Sequence, residues 1–271
     1  MSVANPYYST GADLRAKNEL AASEGPDVPG WVLAHIDLSI PTAALDVGAG
    51  WGRFAGPLLE RAGDMQYLVC ADISPGMVRT CRLTLADARR AVFFVACDVR
   101  MLPFPRGSFD VVMANHMLYE LAEPAVAAVE LARVLKQKGT FVATCYSDQV
   151  RVHLIEFHTA ALAELGVHRP PEPPASFSLE NGERVLRVAF HHVDVDTLED
   201  VRRLDPERLT ETYLRSGRYL SALRDDALSP SIRERLAETF RAQACAAEAR
   251  EGQLIGQTVW AVFVARGIRS S

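Results

Sequence analysis

The sequence lacks the marks of several protein classes. It has no CxxC pair, and its five cysteines are scattered mostly through apolar runs, which argues against a disulfide scaffold or a zinc ribbon. No apolar run reaches the length of a membrane-spanning helix, and the first ten residues do not resemble a secretion signal. We therefore expect a cytoplasmic protein with reduced cysteines and no membrane partner.

Long runs of lysine or arginine are also missing, and the formal net charge is −5. Nothing in this pattern attracts a phosphate backbone, so we expect no nucleic-acid partner. The hydrophobic fraction of 49% is typical of a folded domain. The 271 residues suffice for one large α/β domain, or for one domain with a sizeable insertion. The oligomeric state cannot be read from the sequence.

Short apolar runs alternate with helical stretches in the first half of the chain. The predicted strands are Ala43–Val47, Tyr67–Asp72, Val92–Ala96, Phe109–Ala114 and Thr140–Cys145. Their continuous apolar character is typical of strands buried on both faces of a parallel sheet. The predicted helices between them are Arg53–Arg61, Met77–Ala88 and Pro124–Lys136. Gly139 is expected to stop the last of these helices. The pattern predicts an α/β fold with a doubly wound, mostly parallel sheet.

Longer helical stretches follow residue 147. The predicted helices are Val150–Leu165, Pro206–Arg224 and Pro230–Glu251, and the predicted late strands are Val188–Val195 and Thr258–Ala265. An additional helix is expected at Leu14–Ser23. This order indicates helices inserted between the late strands of a single sheet.

A glycine-rich turn follows the first predicted strand. Residues 45–53 read LDVGAGWGR, and these glycines allow a tight turn and the close approach of a ligand. Asp46, just before them, would repel a pyrophosphate but attract the ammonium group of a methionine moiety. The glycine spacing is GxGxG, in place of the GxGxxG of dinucleotide enzymes. The charge of Asp46 and this spacing both favour S-adenosylmethionine (SAM) over NAD. We expect cofactor contacts at Asp46, Gly48, Ala49 and Gly50.

Two more acids stand where predicted strands end. Asp72 ends the second strand, about twenty residues after the glycines, where a carboxylate can accept hydrogen bonds from ribose hydroxyls. Asp98, preceded by Cys97, follows the third strand and could accept from the adenine amino group. Three nearby apolar residues could sandwich the adenine ring: Ile73, Met77 and Val99. The alternative is that each aspartate is only a turn former or helix cap.

Several segments resemble the class I SAM-dependent methyltransferases, close to the bacterial small-molecule methyltransferase group. They are Leu45–Phe54, Cys70–Met77, Cys97–Phe109, Asp110–Leu121 and Ala132–Lys136. Later segments are similar to the C-terminal half of bacterial members: Phe177–Arg187, Asp205–Ser216 and Trp260–Ala265. The resemblance implies a seven-stranded Rossmann-like sheet with an antiparallel final strand. It also implies SAM contacts at Asp46, Gly48, Gly50, Asp72 and Asp98.

The resemblance implies an enzyme that transfers a methyl group from SAM to an O, N or C nucleophile of a small molecule. We predict a helical lid segment at residues 1–40 and a SAM-binding core at 41–147. Residues 148–271 would complete the sheet and place inserted helices over the acceptor site. Glu120 stands where family members often carry a histidine, so a SAM-binding but catalytically silent partner subunit stays possible. A less favoured alternative is an NAD(P)-dependent oxidoreductase.

Asn115 and His116 follow the fourth predicted strand, where the transferred methyl group is expected. Both are candidate cofactor contacts. His116 is also the candidate catalytic residue, because near-neutral titration suits a general base or a group that orients the acceptor. The alternative is that His116 caps a helix or contacts backbone near the carboxyl group of SAM.

The remaining candidates are assigned to the lid and the acceptor pocket. Tyr7 and Tyr8 resemble a lid over SAM, with Tyr8 contacting the cofactor and Tyr7 the acceptor. Tyr119 and His191 are expected in the acceptor pocket. No metal site is predicted.

Overall fold

The computed structural model describes residues 25–39, 42–149, 153–171 and 173–269. The helices are α1 (Val28–Leu33), α2 (Ala55–Arg61), α3 (Pro75–Thr84), α4 (Pro124–Val134), α5 (His153–Glu164), α6 (Gly182–Leu186), α7 (Pro206–Leu214), α8 (Gly217–Arg224) and α9 (Pro230–Glu251). The strands are β1 (Thr42–Val47), β2 (Met65–Asp72), β3 (Val92–Ala96), β4 (Phe109–Asn115), β5 (Leu135–Tyr146), β6 (Phe190–Leu204) and β7 (Leu254–Ile268). A 3₁₀ turn spans Leu118–Glu120. The helix predicted at Leu14–Ser23 lies outside the described residues.

All seven strands form one sheet in the order β3-β2-β1-β4-β5-β7-β6. The pairs among β1 to β5 are parallel, whereas β7 is antiparallel to both β5 and β6. This confirms the predicted α/β fold, including the antiparallel final strand. Because the first five strands run in the same direction, their carboxyl ends meet at a single edge of the sheet.

Helices cover both faces of the sheet. Leu45 on β1 belongs to a core that includes Leu131 of α4 and Leu186 of α6. Its neighbour Ala44 belongs to a second core with Leu58 of α2, as the alternation of side chains along a strand requires. Burial of one leucine contributes about 1.5–3 kcal/mol. Because each core contains many buried apolar side chains, the two cores together fix the position of the strands.

A helical cap stands beyond the carboxyl edge of the sheet. β5 ends at Tyr146 opposite Trp260, but β7 begins at Leu254, so six residues of β7 (254–259) continue past this edge. At about 3.3 Å per residue the extension spans about 20 Å. It carries α7, α8 and α9, which share a third core with α5 around Tyr213 and Phe240. The prediction of helices inserted between late strands is confirmed. Within the described ranges, no helix is long and apolar enough to cross a membrane.

The helix predicted at Pro206–Arg224 is two helices, not one. Ser216 separates α7 from α8: its hydroxyl accepts from the amide of Tyr219 at 3.2 Å and donates to the carbonyl of Tyr213 at 2.7 Å. Serine competes in this way with the helical backbone for hydrogen bonds, which explains the break.

Gly139 does not end α4, contrary to the prediction. The helix stops at Val134, and Leu135 already has extended angles of φ −75° and ψ 141°. Gly139 lies inside β5 next to an irregularity in the pairing with β4. A Cβ there would lie 2.8 Å from the carbonyl oxygen of Asp110, so glycine permits the close approach of two strands.

Candidate functional site

The glycine turn between β1 and α2 opens toward the carboxyl edge. Gly48 and Gly50 have φ values of 66° and 55°, a region that favours glycine. The amide of Ala49 donates to the carbonyl of Ala71 at 3.1 Å and ties the turn to β2. A Cβ added at Gly48 would lie 2.8 Å from Cβ of Met117, whereas one at Gly50 would meet nothing within 4 Å. Gly50 therefore leaves open space for a ligand.

Asp46 is a buried carboxyl group whose second oxygen, Oδ2, has no hydrogen-bond partner among the described residues. Its residue surface is 1% exposed. Burial, with a smaller contribution from the charge of Asp72, raises the pKa of Asp46 to about 8. An unpaired buried carboxyl is unfavourable in isolation, so this position suits a ligand that brings its own cation.

Asp72 fastens the glycine turn and still faces the crevice. Its Oδ2 accepts from the amide of Gly50 at 3.0 Å, and its Oδ1 accepts from the amide of Ser74 at 2.8 Å. Burial raises the pKa of this carboxyl, and the two amides act in the opposite direction. Since each carboxylate oxygen has two lone pairs, Asp72 retains capacity for ribose hydroxyls.

Asp98 follows β3, and its carboxylate is held by Arg100. The guanidinium Nε donates to Oδ1 at 3.0 Å, and this bond holds the pKa of Asp98 below its usual range. Cys97 is tied to β2 by its amide, which donates to the carbonyl of Asp72 at 3.0 Å. Burial raises the pKa of the Cys97 thiol to about 11, so it remains a neutral group. Adenine contacts at Asp98 and Cys97 stay predictions.

The three residues predicted to sandwich adenine differ in exposure. Ile73 is 40% exposed at the end of β2, whereas Met77 and Val99 are 2% and 5% exposed. In this arrangement only Ile73 of the three presents a sizeable side-chain surface.

Asn115 and His116 concentrate unsatisfied polar groups at the end of β4. Both polar side-chain atoms of Asn115 and both ring nitrogens of His116 are buried, with no hydrogen-bond partner among the described residues. The His116 backbone has φ 52°, and its amide donates to the carbonyl of Thr144 at 3.1 Å. Backbone strain and unpaired polar atoms cluster at functional sites, which supports the prediction for these residues.

The titration of His116 differs from the prediction. Burial, with a smaller contribution from the nearby charge of Arg53, lowers its pKa to about 3. The imidazole is therefore neutral at neutral pH and is a weak base. The expectation of near-neutral titration is wrong, but a role in orienting an acceptor through a ring nitrogen is compatible with the geometry.

Aromatic rings extend from His116 across the ends of β5 and β7. The rings of His116 and Tyr146 stack with centroids 4.7 Å apart and an interplanar angle of 29°. Tyr119 and Trp260 lie 6.4 Å and 6.3 Å from the Tyr146 ring. We call these four residues the aromatic shelf. The sequence prediction included Tyr119 but missed Tyr146, although its position at the end of a predicted strand was a usable signal.

His191 is not at this site. Along β6, Leu198 pairs with Trp260 of the shelf, and His191 precedes Leu198 by seven residues. At about 3.3 Å per residue, His191 is roughly 23 Å away, toward the opposite edge of the sheet. The prediction of His191 as an acceptor-pocket residue is therefore wrong. Alternation indicates which face of the sheet a strand residue occupies, but not how far along the strand it lies from the carboxyl edge.

Two predicted residues, Tyr7 and Tyr8, lie outside the described residues. Among the residues that are described, no three His, Cys, Asp or Glu side chains group closely enough to hold a metal ion.

The crevice fits the polar groups of SAM. The unpaired oxygen of Asp46 suits its ammonium group, and Asp72 suits its ribose diol. The space beside Gly50 allows a ligand to approach the backbone. A pyrophosphate would face two carboxyl groups here, so the same residues fit a dinucleotide poorly.

Comparison with known proteins gives consistent results. The family described as "Methyltransferase domain" matches residues 45–143. Demethylmenaquinone methyltransferase of Thermus thermophilus is 30% identical over 192 residues, 70% of this chain and 67% of that protein. Ubiquinone/menaquinone biosynthesis C-methyltransferase UbiE of Paraburkholderia phytofirmans is 28% identical over 54% of this chain, which spans only 60% of that relative's length. A solved phosphoethanolamine N-methyltransferase 2 of Haemonchus contortus is similar in fold, with TM-score 0.53, 17% identity, and coverage of 90% of this chain and 53% of that one.

Proposed function

Because the chain belongs to the class I SAM-dependent methyltransferases, we propose that it transfers the methyl group of SAM to an O, N or C nucleophile of a small molecule. The observation that carries this proposal is the buried, unpaired carboxyl of Asp46 beside the open turn at Gly50. A pocket of this kind matches an amino-acid ammonium group. Asp72, at the end of the neighbouring strand β2, supports the proposal as a candidate acceptor for the ribose hydroxyls.

Each strand end has a distinct part in holding the cofactor. Asp46 would bind the ammonium group, and Asp72 would accept from the ribose hydroxyls. The backbone of Gly48 and Ala49 would line the methionine portion. The adenine end is assigned to Ile73, Met77, Cys97, Asp98 and Val99. When bound, SAM supplies a methyl group that is electrophilic because it is attached to a sulfonium.

The acceptor is held by the residues after β4. In its neutral form His116 can accept a hydrogen bond from an attacking hydroxyl or amine, and Asn115 offers both a donor and an acceptor. Because its low pKa makes His116 a weak base, positioning is expected to dominate over proton removal. Good positioning is worth up to about 7–11 kcal/mol, whereas a general base typically adds about 10²–10⁴-fold.

The acceptor class follows in part from the relatives. One relative is named a ubiquinone/menaquinone biosynthesis C-methyltransferase and another a demethylmenaquinone methyltransferase, which supports carbon acceptors besides oxygen and nitrogen. All five cysteines are free, which supports a cytoplasmic location. The cap above the shelf is assigned to cover the acceptor, with Tyr7 and Tyr8 as part of the lid. No nucleic-acid partner belongs to the proposal.

The test begins with binding. Isothermal titration with S-adenosylhomocysteine should show one site, and thermal shift should show stabilisation by SAM but not by NADH. Transfer of labelled methyl from SAM to a panel of phenols, amines and quinols should then yield product. Failure to bind SAM and its demethylated product contradicts the proposal, and stabilisation by NADH alone favours an oxidoreductase. Binding without transfer to any acceptor favours a silent subunit.

A further inference from the structure

Charge and aromatic character are unevenly distributed along the carboxyl edge of the sheet. Asp46 and Asp72 lie at the ends of β1 and β2, and Asp98 follows β3 by two residues. The ends of β4 and β5, with the neighbouring part of β7, carry the aromatic shelf. A cationic, sugar-containing ligand fits the first half. The second half must therefore receive a molecule of different character.

Tyr146 forms the centre of this second half. Its surface is 41% exposed, while its ring is flanked by His116, Trp260 and Tyr119. Exposed aromatic rings bind planar apolar groups by stacking, with offset or tilted geometry. The six-residue extension of β7 and the helical cap rise from the same place, beside Trp260. The shelf thus lies at the base of the cap.

Arg53 brings a positive charge to the shelf. It follows the glycine turn, and its guanidinium carbon lies 5.6 Å from the centre of the Phe54 ring. The Phe54 ring in turn lies 6.1 Å from the His116 ring, and after burial the Arg53 charge is the second cause of the lowered pKa of His116. Within the described ranges Arg53 has no ion-pair partner. A guanidinium in this state is suited to bidentate binding of a carboxylate.

Two acids near the end of β5, Asp148 and Glu180, accept hydrogen bonds from neutral donors rather than from Arg53. Asp148 accepts from the amide of Ala175 at 3.0 Å. Glu180 accepts from the amide of Asp148 at 2.9 Å and from the hydroxyl of Ser147. These bonds connect β5 to the loop before α6 and leave both carboxylates engaged.

We propose that the aromatic shelf and Arg53 form an acceptor subsite for a planar aromatic anion, such as a ring that bears a carboxylate. The ring stacks on Tyr146, and its anionic group pairs with Arg53. The unpaired polar atoms of Asn115 and His116 then lie beside the ring substituent that is to be methylated. This inference rests on the proposed function and deepens it by naming the acceptor class.

The test compares two probes of equal shape, 2-naphthoate and its neutral analogue 2-naphthamide. Calorimetry with saturating S-adenosylhomocysteine should show that the wild type binds 2-naphthoate at least about tenfold more tightly than the amide. Arg53→Gln should abolish this preference and leave the affinity for S-adenosylhomocysteine unchanged. Arg79→Gln, which alters an exposed arginine on α3, is the matched control and should behave as wild type. Tyr146→Leu should weaken both probes by similar factors.

Several outcomes would overturn the subsite. They are absence of binding by either probe, equal binding of both to the wild type, and a preference that survives Arg53→Gln. Weaker binding of S-adenosylhomocysteine by Arg53→Gln would assign the arginine to the carboxyl group of the cofactor instead. The titrations with the two naphthyl probes are repeated without S-adenosylhomocysteine. If the wild type does not bind S-adenosylhomocysteine, the proposed function is refuted. The preference for 2-naphthoate in these repeated titrations then still decides whether the subsite exists. Circular dichroism checks that each variant is folded.

Discussion

Asp46 should couple cofactor binding to pH. Its pKa is raised to about 8 by burial and by Asp72, so the carboxyl is mostly protonated at neutral pH when no ligand is bound. An ammonium group favours the ionised carboxylate. Binding of SAM or S-adenosylhomocysteine should therefore release a proton from Asp46. Asp46→Asn keeps the shape of the side chain and removes this proton.

The size of the effect follows from the titration. For a group with pKa about 8, the ligand affinity should rise about eightfold between about pH 6.5 and pH 7.5. Calorimetry in buffers of different ionisation enthalpy should detect release of about 0.9 proton per ligand at pH 7. Asp46→Asn should bind S-adenosylhomocysteine about tenfold to a hundredfold more weakly, with little dependence on pH. Asp87→Asn, at an exposed site, is the control.

Asp46 should also make the stability of the ligand-free protein depend on pH. Whereas the affinity for the ligand rises with pH, the free energy of unfolding should fall. Between the ordinary pKa of 3.8 and the folded pKa of about 8, the folded protein retains a proton that the unfolded chain has lost, so the free energy of unfolding falls as pH rises through this range. The cost is about 1.4 kcal/mol per pH unit, or about 4 kcal/mol between pH 4 and pH 7. Without ligand, Asp46→Asn should gain stability relative to wild type over this range, because the amide cannot ionise. Asp72 has a raised pKa as well, so the difference between the two proteins isolates Asp46.

Urea unfolding at several pH values, with and without ligand, measures both effects. A ligand affinity that is flat across pH, with no proton release, would refute the reasoning. It would mean either that Asp46 is already ionised or that it does not meet the ammonium group. An Asp46→Asn variant that is less stable than wild type at pH 8 would refute the stability argument separately.

Three further predictions concern other parts of the site and fold. Asp72→Ala should weaken S-adenosylhomocysteine at least about tenfold in calorimetry and lower the melting temperature, because two backbone amides lose their acceptor; an unchanged dissociation constant counts against the site. Gly139→Ala should destabilise the protein by about 1–3 kcal/mol in urea unfolding, because its Cβ would clash. Gly63→Ala, where a Cβ meets nothing within 4 Å, should be close to neutral, and equal effects would contradict the packing argument. The NMR signal of the His116 ring, assigned with His116→Gln, should not titrate between about pH 5 and 8, because its pKa is about 3; a midpoint near 6.5 would contradict its burial.

The cofactor half of the crevice is readable from the sequence because chain order becomes spatial order in a parallel sheet. Asp46 is the penultimate residue of the first predicted strand, Asp72 ends the second and Asp98 follows the third. The corresponding strands β1, β2 and β3 are neighbours in the sheet. Once the strands are recognised, the rule that carboxyl ends share an edge brings the acids together without any knowledge of side-chain packing. The spacing of the glycines then favours a cationic ligand over a pyrophosphate.

The acceptor half depends on facts that no local pattern contains. Trp260 reaches Tyr146 only through the antiparallel register of β5 and β7, and the offset of that pairing is set by the whole sheet. The pairing of β6 with β7 likewise places His191 far from the site, although the alternation along β6 was compatible with a pocket residue. Register is specified by packing on both faces of the sheet. The sequence of a single strand therefore does not determine how far each of its residues lies from the carboxyl edge.

His116 illustrates why the chemistry of a residue cannot be assigned from its type alone. Histidine titrates near neutrality when solvated, which made a general base the natural hypothesis. In the fold, burial and the charge of Arg53 both oppose a second proton on the ring, and each arises from contacts formed only after folding. The same two causes leave a neutral imidazole with unpaired nitrogens beside a guanidinium. Such an arrangement is better suited to bind a neutral or negative acceptor than to remove a proton from it. Burial and Arg53, which lower the basicity of His116, therefore make it a positioning group and not a general base.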